Sequence, residues 1–547
     1  MHAVNWPRRQ GHSDLAARTL AVLAALLAGP AARPAAPPPD RETAWTRNPV
    51  SAERGLPDTF DPASGRNIKW VVPLGTETHA TPLVAEGGIF IGTNNNAPRD
   101  ARHQGDRGVL FCLNEADGAL RWQLVVPKRV EDIYFDWPNS GICSPPAVEG
   151  DRVYVVDNRG VVLCLDRHGL ANGNDGPFRL EDIYYAPQPT NDLARGAPAA
   201  LGPDGTFLPD APPPHRLPPG PLDADILWMF DLTSGAGIWS HDAVHSGILI
   251  YGDHLYLNTG TGVDNTHRRI RRPEAPGLIV LDKHTGRLLA RERAVRGERI
   301  FHATWSPPTL GLVRGRPLVF FAGGDGVVRA FEPLATDARP AAEPVALRQV
   351  WEFDFDPDAP KEDVHRYHQN RRQSPSNIYG APVPHAGRVY VAGGGDYWWG
   401  KNEAWLKCID ATGTGDITRT GLVWSYALGK HVFATPAVHD GLVYLGDTEG
   451  VLHCVDAATG RAVWTHEASG DFWASPLVAD GKVYVGTRRG EFLILRAGRE
   501  KQVLHTVSLG APISATAVAA NGVLYVATMN RLFAVALEAR GPAVPGT

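Results

Sequence analysis

Ala434-Thr-Pro-Ala-Val438, Leu442-Val-Tyr-Leu-Gly446, Gly450-Val-Leu-His-Cys-Val-Asp456 and Thr459-Gly-Arg-Ala-Val-Trp464 follow one another near the carboxyl end. Each run is short and either alternating or continuously apolar, and Gly or Asp-Gly turns bound it. Such runs read as strands, four to a unit, named A to D. A second copy starts at Ala474-Ser-Pro-Leu-Val478 and continues with Val483-Tyr-Val-Gly486. A period of about 40 residues marks a solenoid, a propeller or an array.

Working outward, the strand B aromatic recurs at Phe90, Tyr154, Tyr256, Phe320, Tyr390, Tyr444, Tyr484 and Tyr525, which makes eight units. Strand D carries Trp70, Trp122, Trp228, Trp351, Trp424 and Trp464. The first strand D, 68–72, precedes any strand A, and the last unit ends after strand C near Leu537. The first strand is therefore expected to complete the last unit. That offset closes a ring and removes open sheet edges, and a linear array has no use for it. The predicted fold is all-β: an eight-bladed β-propeller of four-stranded antiparallel blades, closed by an amino-terminal outer strand and occupying residues 60–540.

Composition agrees. Of 547 residues, 54 are Lys or Arg and 59 Asp or Glu, a net charge of −5. That lacks the basic footprint of a nucleic-acid binder. With 58 Gly, 46 Pro and only 3 Met, the chain favours turns over helices. No run of 18 apolar residues exists, so no transmembrane helix is expected. Arg8, Arg9 and Arg18 precede an apolar stretch, 20–28, and a Pro/Ala-rich segment, 30–39. Residues 1–40 thus read as a signal peptide with a Pro/Ala-rich extension, which predicts an exported protein, periplasmic or secreted. No Cys precedes Cys112, which leaves no amino-terminal Cys for lipid attachment.

The Ser/Thr-Pro before strand A, the Tyr-Val-Gly of strand B and the Asp-x-x-Thr-Gly-x-x-x-Trp of Asp456 to Trp464 resemble the pyrroloquinoline-quinone (PQQ) repeat family of quinoprotein-like propellers. The resemblance covers nearly everything after residue 65. It speaks for the fold more than for activity, because catalytic and structural members share these repeats.

Repeat alignment removes several apparent sites. Cys112, Cys164, Cys408 and Cys454 occupy one strand C position in four units, too far apart to bridge, and read as small buried hydrophobes. The strand D tryptophans read as packing between blades, and the turn Asp as a cap on its own backbone.

In a propeller, strand A lines the central channel. Counting three residues back from the start of each strand A gives His79, Cys143, His245, Trp305, Tyr379, Phe433, Trp473 and Ser514 around the channel mouth. Two readings stay open: side chains plugging the pore, or a floor for a ligand. The long B–C and D–A segments share that face and carry Asp264, Asn265, His267, Arg371, Arg372, Trp398 and Trp399, and His302 is counted with Asp264 and Asn265 among the candidate ligand-binding residues. A scaffold that elaborates one face presents a site there. An insertion at 167–225, rich in Pro and Gly, is expected to run irregularly on the opposite face. His365-x-x-His368 with its arginines reads as a solvated basic loop, and no metal site is assigned.

The resemblance implies an enzyme alternative, a divergent PQQ-dependent dehydrogenase with PQQ and calcium as cofactors. Such enzymes have adjacent cysteines, absent here, and a Thr-Gly-Asn turn whose Asn binds calcium. The similar turn, Asn258-Thr-Gly-Thr-Gly-Val-Asp-Asn265, places Thr261 there. Their His-Asp-x-Trp segment supplies the catalytic base. The matching stretch here begins His302-Ala303 and ends at Trp305, and alanine takes no proton. Trp305 or Trp473 matches the Trp beneath the cofactor. The favoured expectation is therefore a non-enzymatic scaffold. Its loop-rich face and channel mouth would bind a small molecule, a glycan or a protein.

Overall fold

The computed structural model describes residues 47–129, 135–188, 201–208, 213–242, 246–303, 305–335, 338 and 342–544. The expected signal segment, 1–40, lies outside them, as does His245. Among the described residues the strands form eight sheets, each built around an antiparallel four-stranded path and numbered in chain order as blades 1 (83–127), 2 (147–231), 3 (249–291), 4 (309–354), 5 (376–428), 6 (437–467), 7 (477–508) and 8 (518–540 with 66–73). Blade 6 shows the plan: A (Ala437–His439), B (Leu442–Gly446), C (Val451–Asp456) and D (Ala462–Glu467), hydrogen-bonded in that order. Blade 8 pairs Val518–Ala520, Val523–Ala527 and Arg531–Arg540 with the early strand Arg66–Pro73. Trp70 sits opposite Ala534 and Val71 opposite Phe533, so the ring closes by the expected offset.

One packing rule repeats around the ring. The strand B aromatic, a small strand C residue and the strand D Trp lie in a cross-strand row: Tyr444–Cys454–Trp464, Tyr154–Cys164–Trp228, Phe320–Ala330–Trp351. The small central residue lets the flanking rings tilt toward each other at centroid separations of 5.9, 6.1 and 5.8 Å in those rows. The four strand C cysteines are thus buried spacers, and all five thiols are free. Each strand D Trp also reaches the neighbouring blade. Trp122 Nε1 donates to Arg167 O at 2.8 Å, Trp424 to Ala457 O at 3.1 Å and Trp464 to Gly498 O at 2.9 Å. The glycine of the Asp-x-x-Thr-Gly turn lies against that ring. A Cβ on Gly460, whose φ is +71°, would meet Trp424 at 2.6 Å, so this turn admits only glycine without a shift. Asp456 Oδ1 accepts from the Thr459 amide and hydroxyl at 3.0 and 2.9 Å, the expected self-cap.

Two features were not anticipated. The segment 47–53 runs through the channel. Val50–Ser51 pairs in parallel with strand A of blade 7 (Leu477–Ala479). Arg47 donates to Ile248 O at 2.7 Å, and Glu53 accepts the Gly522 amide at 2.8 Å. One short segment therefore touches the inner strands of several blades. Second, short segments cover outer edges: Val345–Ala346 lies parallel to blade 3's outer strand (Leu288–Arg291), and Gly415–Asp416 to blade 4's (Gln349–Asp354). Covered edges offer no template for another chain.

The 167–225 insertion corrects the expectation. It does not stay on the opposite face. Asp223 bridges Gln123 on the outer strand of blade 1, and Tyr184 Oη donates to Asp157 Oδ2 at 2.5 Å in the B–C turn of blade 2. His103 and Arg102 hold Asp223 at 2.9 and 2.8 Å. Buried Phe178, Tyr184 and Tyr185 supply the apolar surface that draws the segment against blades 1 and 2.

Candidate functional site

The channel mouth is built from the residues that open strand A. Trp305 stacks on Tyr379 at 5.2 Å, Tyr379 on Phe433 at 4.9 Å, Phe433 meets Trp473 at 4.4 Å, and Trp473 stacks on His79 at 6.3 Å. Arg488 lies over Trp473 at 4.6 Å and donates to Ser514 Oγ at 2.7 Å, which extends the arc to the eighth blade. Six of the eight ring positions are thus joined. Cys143 is buried, its thiol donates to Ser140 O at 3.3 Å, and burial pushes its pKa up to about 12.

Trp398, from the B–C loop of blade 5, stands edge-on against this arc. Its ring lies 5.9 Å from Trp305, 5.7 Å from Phe433 and 6.2 Å from Trp473, at interplanar angles of 70–89°. Arg371 fastens the loop by donating to Trp398 O at 2.7 Å and to Tyr397 O and Gly400 O at 3.0 Å each. Arg371 is therefore a loop clamp within a segment that is solvated as expected, for Arg366, Arg371 and Arg372 are all exposed. His368 likewise stacks on Trp399 at 4.4 Å, and His365 on Phe301 at 6.2 Å.

Asp396 is the hub of the face. It is fully buried. Its Oδ1 accepts the Trp398 and Trp399 amides at 3.0 and 2.7 Å, which shapes the loop. Its Oδ2 accepts the Tyr379 hydroxyl and lies 2.9 Å from His302 Nδ1. Burial alone would raise this carboxyl. The His302 charge, aided by the hydrogen bonds, outweighs burial and holds it below the ordinary carboxylate range. His302 moves the other way: burial lowers it, but the Asp396 charge leaves it above the usual imidazole value.

Beside His302 lie His241 and His267, with ring centroids 4.7, 4.7 and 5.6 Å apart. Backbone bridges pair Ser240 with Thr261 and Gly262 with Ala303, and Val263 N donates to His302 O at 2.9 Å. A Cβ on Gly262 would come within 2.8 Å of His241 Cβ and 2.7 Å of His302 O, so glycine lets these segments close. His267 arrives on a turn in which Asp264 Oδ1 accepts the Thr266 amide and hydroxyl at 3.0 and 2.6 Å. Burial, with His302 and His368 nearby, holds the His267 pKa down at about 4.

The sequence reading named His302 but missed its convergence with His241 and His267, and it missed Asp396. Asp264 caps its turn, and Asn265 is exposed. Among the described residues no group of converging metal-ligating side chains includes Asp264.

This geometry does not fit PQQ with calcium. Trp398 stands edge-on to Trp305 and Trp473, the rings that the resemblance would set beneath a cofactor. Where the resemblance places a calcium-binding Asn, Thr261 offers one neutral hydroxyl, and the buried Asp396 carboxylate is already engaged by His302, Tyr379 and two backbone amides. Calcium takes six to eight oxygens. Buried Ala303 stands where the base would be.

The chain matches the family Outer membrane protein assembly factor BamB over residues 53–171 and 402–540. The two stretches hold blades 1, 6, 7 and 8, the first three strands of blade 2, the last two of blade 5 and the closing strand.

The chain is a PQQ-like repeat β-propeller.

A curated relative of this propeller, Outer membrane protein assembly factor BamB of Moranella endobia (strain PCIT), is 27% identical over 128 residues, 23% of this chain. The match spans only 30% of that relative's length. The crystal structure of BamB from Moraxella catarrhalis superposes with a TM-score of 0.49 at 13% identity, over 86% of this chain and 96% of that chain. The computationally designed Ika8 protein superposes at 0.48 with 9% identity, over 86% and 99%. Among the described residues no helix of the propeller is long and apolar enough to cross a membrane.

Proposed function

We propose that this chain is an exported scaffold that binds a protein partner through its loop-elaborated face. The observation that carries the reading is the Asp396 hub. One buried carboxylate ties the aromatic floor, the Trp398–Trp399 loop and the His302 segment into a preset surface, while alanine holds the position of the quinoprotein base. Preset surfaces bind with little ordering cost. Trp137, 41% exposed, and the half-buried Trp398 and Trp399 add aromatic anchors of the kind that dominate protein interfaces. The likeness to proteins named as outer membrane assembly factors supports a protein partner and a place outside the cytoplasm.

The test is site-specific photo-crosslinking in the producing cell. A crosslinker replacing Trp137 or Arg372 should yield one adduct of discrete mass in the exported fraction. A crosslinker replacing Thr459, on the C–D turn of the far face, should not. Equal labelling from both faces, or tight calcium-dependent PQQ binding with dye-linked alcohol oxidation, would overturn the proposal.

A further inference from the structure

We propose that His241, His267 and His302 form a binding site for a divalent transition metal of the zinc class. Nothing in the scaffold reading requires such a site. One nitrogen from each ring lies within 4.8 Å of the others. Tetrahedral zinc at nitrogen distances of about 2.0–2.1 Å places its ligands about 3.3 Å apart, within reach of small side-chain rotations. The three residues come from separate loops: the entries to blades 3 and 4 and the B–C loop of blade 3. Unlike a chance surface cluster, two of them stand on backbone fixed by the Ser240–Thr261 and Gly262–Ala303 bridges.

Two further observations point to a cation. His302 is buried, and its Nε2 has no hydrogen-bond partner. With Nδ1 at 2.9 Å from Asp396, Nε2 is the ring nitrogen left to take a ligand, a metal replacing any proton it carries. A carboxylate behind a ligating imidazole fixes the tautomer and raises ligand basicity, as in zinc centres generally. Asp242 Oδ2 also lies 3.5 Å from His241 Nε2, so two carboxylates flank the three imidazoles. That charge balance suits a dication. The all-nitrogen donor set suits zinc, cobalt, nickel or copper, and not calcium or magnesium. His267 holds a left-handed φ of +56°, a strain of the sort stored at functional sites. Three protein ligands leave a fourth position for water or a group from a partner.

The full chain, stripped with chelator and reloaded with cobalt(II), should retain one equivalent after gel filtration and show the visible absorption of a nitrogen-rich, low-coordinate ion. Zinc should displace it. His302→Ala and His267→Ala should each weaken binding at least 100-fold, and Asp396→Asn by about 10- to 100-fold. His453→Ala should leave binding unchanged, because His453 is engaged by Asp447 and Tyr426 in blade 6. If His302→Ala does not fold, His267→Ala on its exposed turn decides the matter alone. Failure of the wild type to hold stoichiometric metal would overturn the site. So would retention by folded His267→Ala, or loss only on His103→Ala, which would place the ion beside Asp223. Loss of metal binding with face-specific crosslinking intact would leave the scaffold proposal standing.

Discussion

Asn48 exchanges two hydrogen bonds with the backbone of Val438: its Nδ2 donates to Val438 O, and its Oδ1 accepts from Val438 N, both at 2.8 Å. A side-chain amide thus imitates a strand neighbour on the innermost strand of blade 6. Asn48→Ala leaves both backbone groups without partners inside the channel. We expect a loss of about 1–3 kcal/mol, read as a lower thermal midpoint. Asn48→Asp keeps the acceptor and loses the donor, so it should fall between. An unchanged midpoint for the alanine variant would mean that the threaded segment contributes nothing.

The cross-strand rows predict a size rule at strand C. Cys454→Ala should be nearly silent, since blade 4 carries Ala330 at the same place between Phe320 and Trp351. Cys454→Leu forces Tyr444 and Trp464 apart and should cost about 1–3 kcal/mol. Urea unfolding of the two variants gives the comparison. Equal midpoints would refute the spacer role.

Two glycines separate backbone strain from crowding. Gly441 and Gly460 have φ of +73° and +71°, yet a Cβ on Gly441 meets nothing within 4 Å while one on Gly460 strikes Trp424. Gly441→Ala should cost about 1–2 kcal/mol, the left-handed penalty alone. Gly460→Ala should cost clearly more, because the ring and its bond to Ala457 O must shift. Matching losses in calorimetry would argue against the turn-on-tryptophan contact.

Asp225 sets a pH dependence. It is buried, its Oδ1 lacks a partner, and burial, with Glu181, Asp166 and Asp175 adding to it, raises its pKa to about 6. The unfolded chain releases that proton near pH 4. Between those values the folded state holds more protons, so stability falls as pH rises through the window. Asp225→Asn can still accept the Asp175 amide, which Asp225 Oδ2 takes at 2.7 Å, and it does not titrate. Relative to wild type, the variant should gain about 1–3 kcal/mol between pH 4 and pH 7. Parallel midpoint–pH curves would contradict the raised carboxyl.

The blades were legible because most repeat the same local chemistry: a Pro before strand A, an aromatic in B, a small residue in C and a Trp in D. Even the closure could be read, since Trp70 is a strand D residue with no strand A before it. The thread could not. Asn48 and Val50 have no periodic pattern, and their partners lie hundreds of residues downstream. The insertion misled because Pro and Gly dominate its composition, while Phe178, Tyr184 and Tyr185, which anchor it, are few. At the site, the aromatic arc followed from counting positions. Asp396 did not stand out, because one Asp in a loop looks like any turn residue until its four contacts are placed. His241, His267 and His302 sit in three loops whose meeting depends on the bridges around Gly262, which no spacing rule reveals.

Blade 8 borrows its rim from Arg66–Pro73 and the rest from the last strands of the chain. During synthesis that early ribbon waits with bare amides until almost the whole polypeptide has emerged. A nascent chain cut short before Arg531 can never shut and keeps an open seam on each side of the gap. Such a fragment should be sticky and quickly degraded.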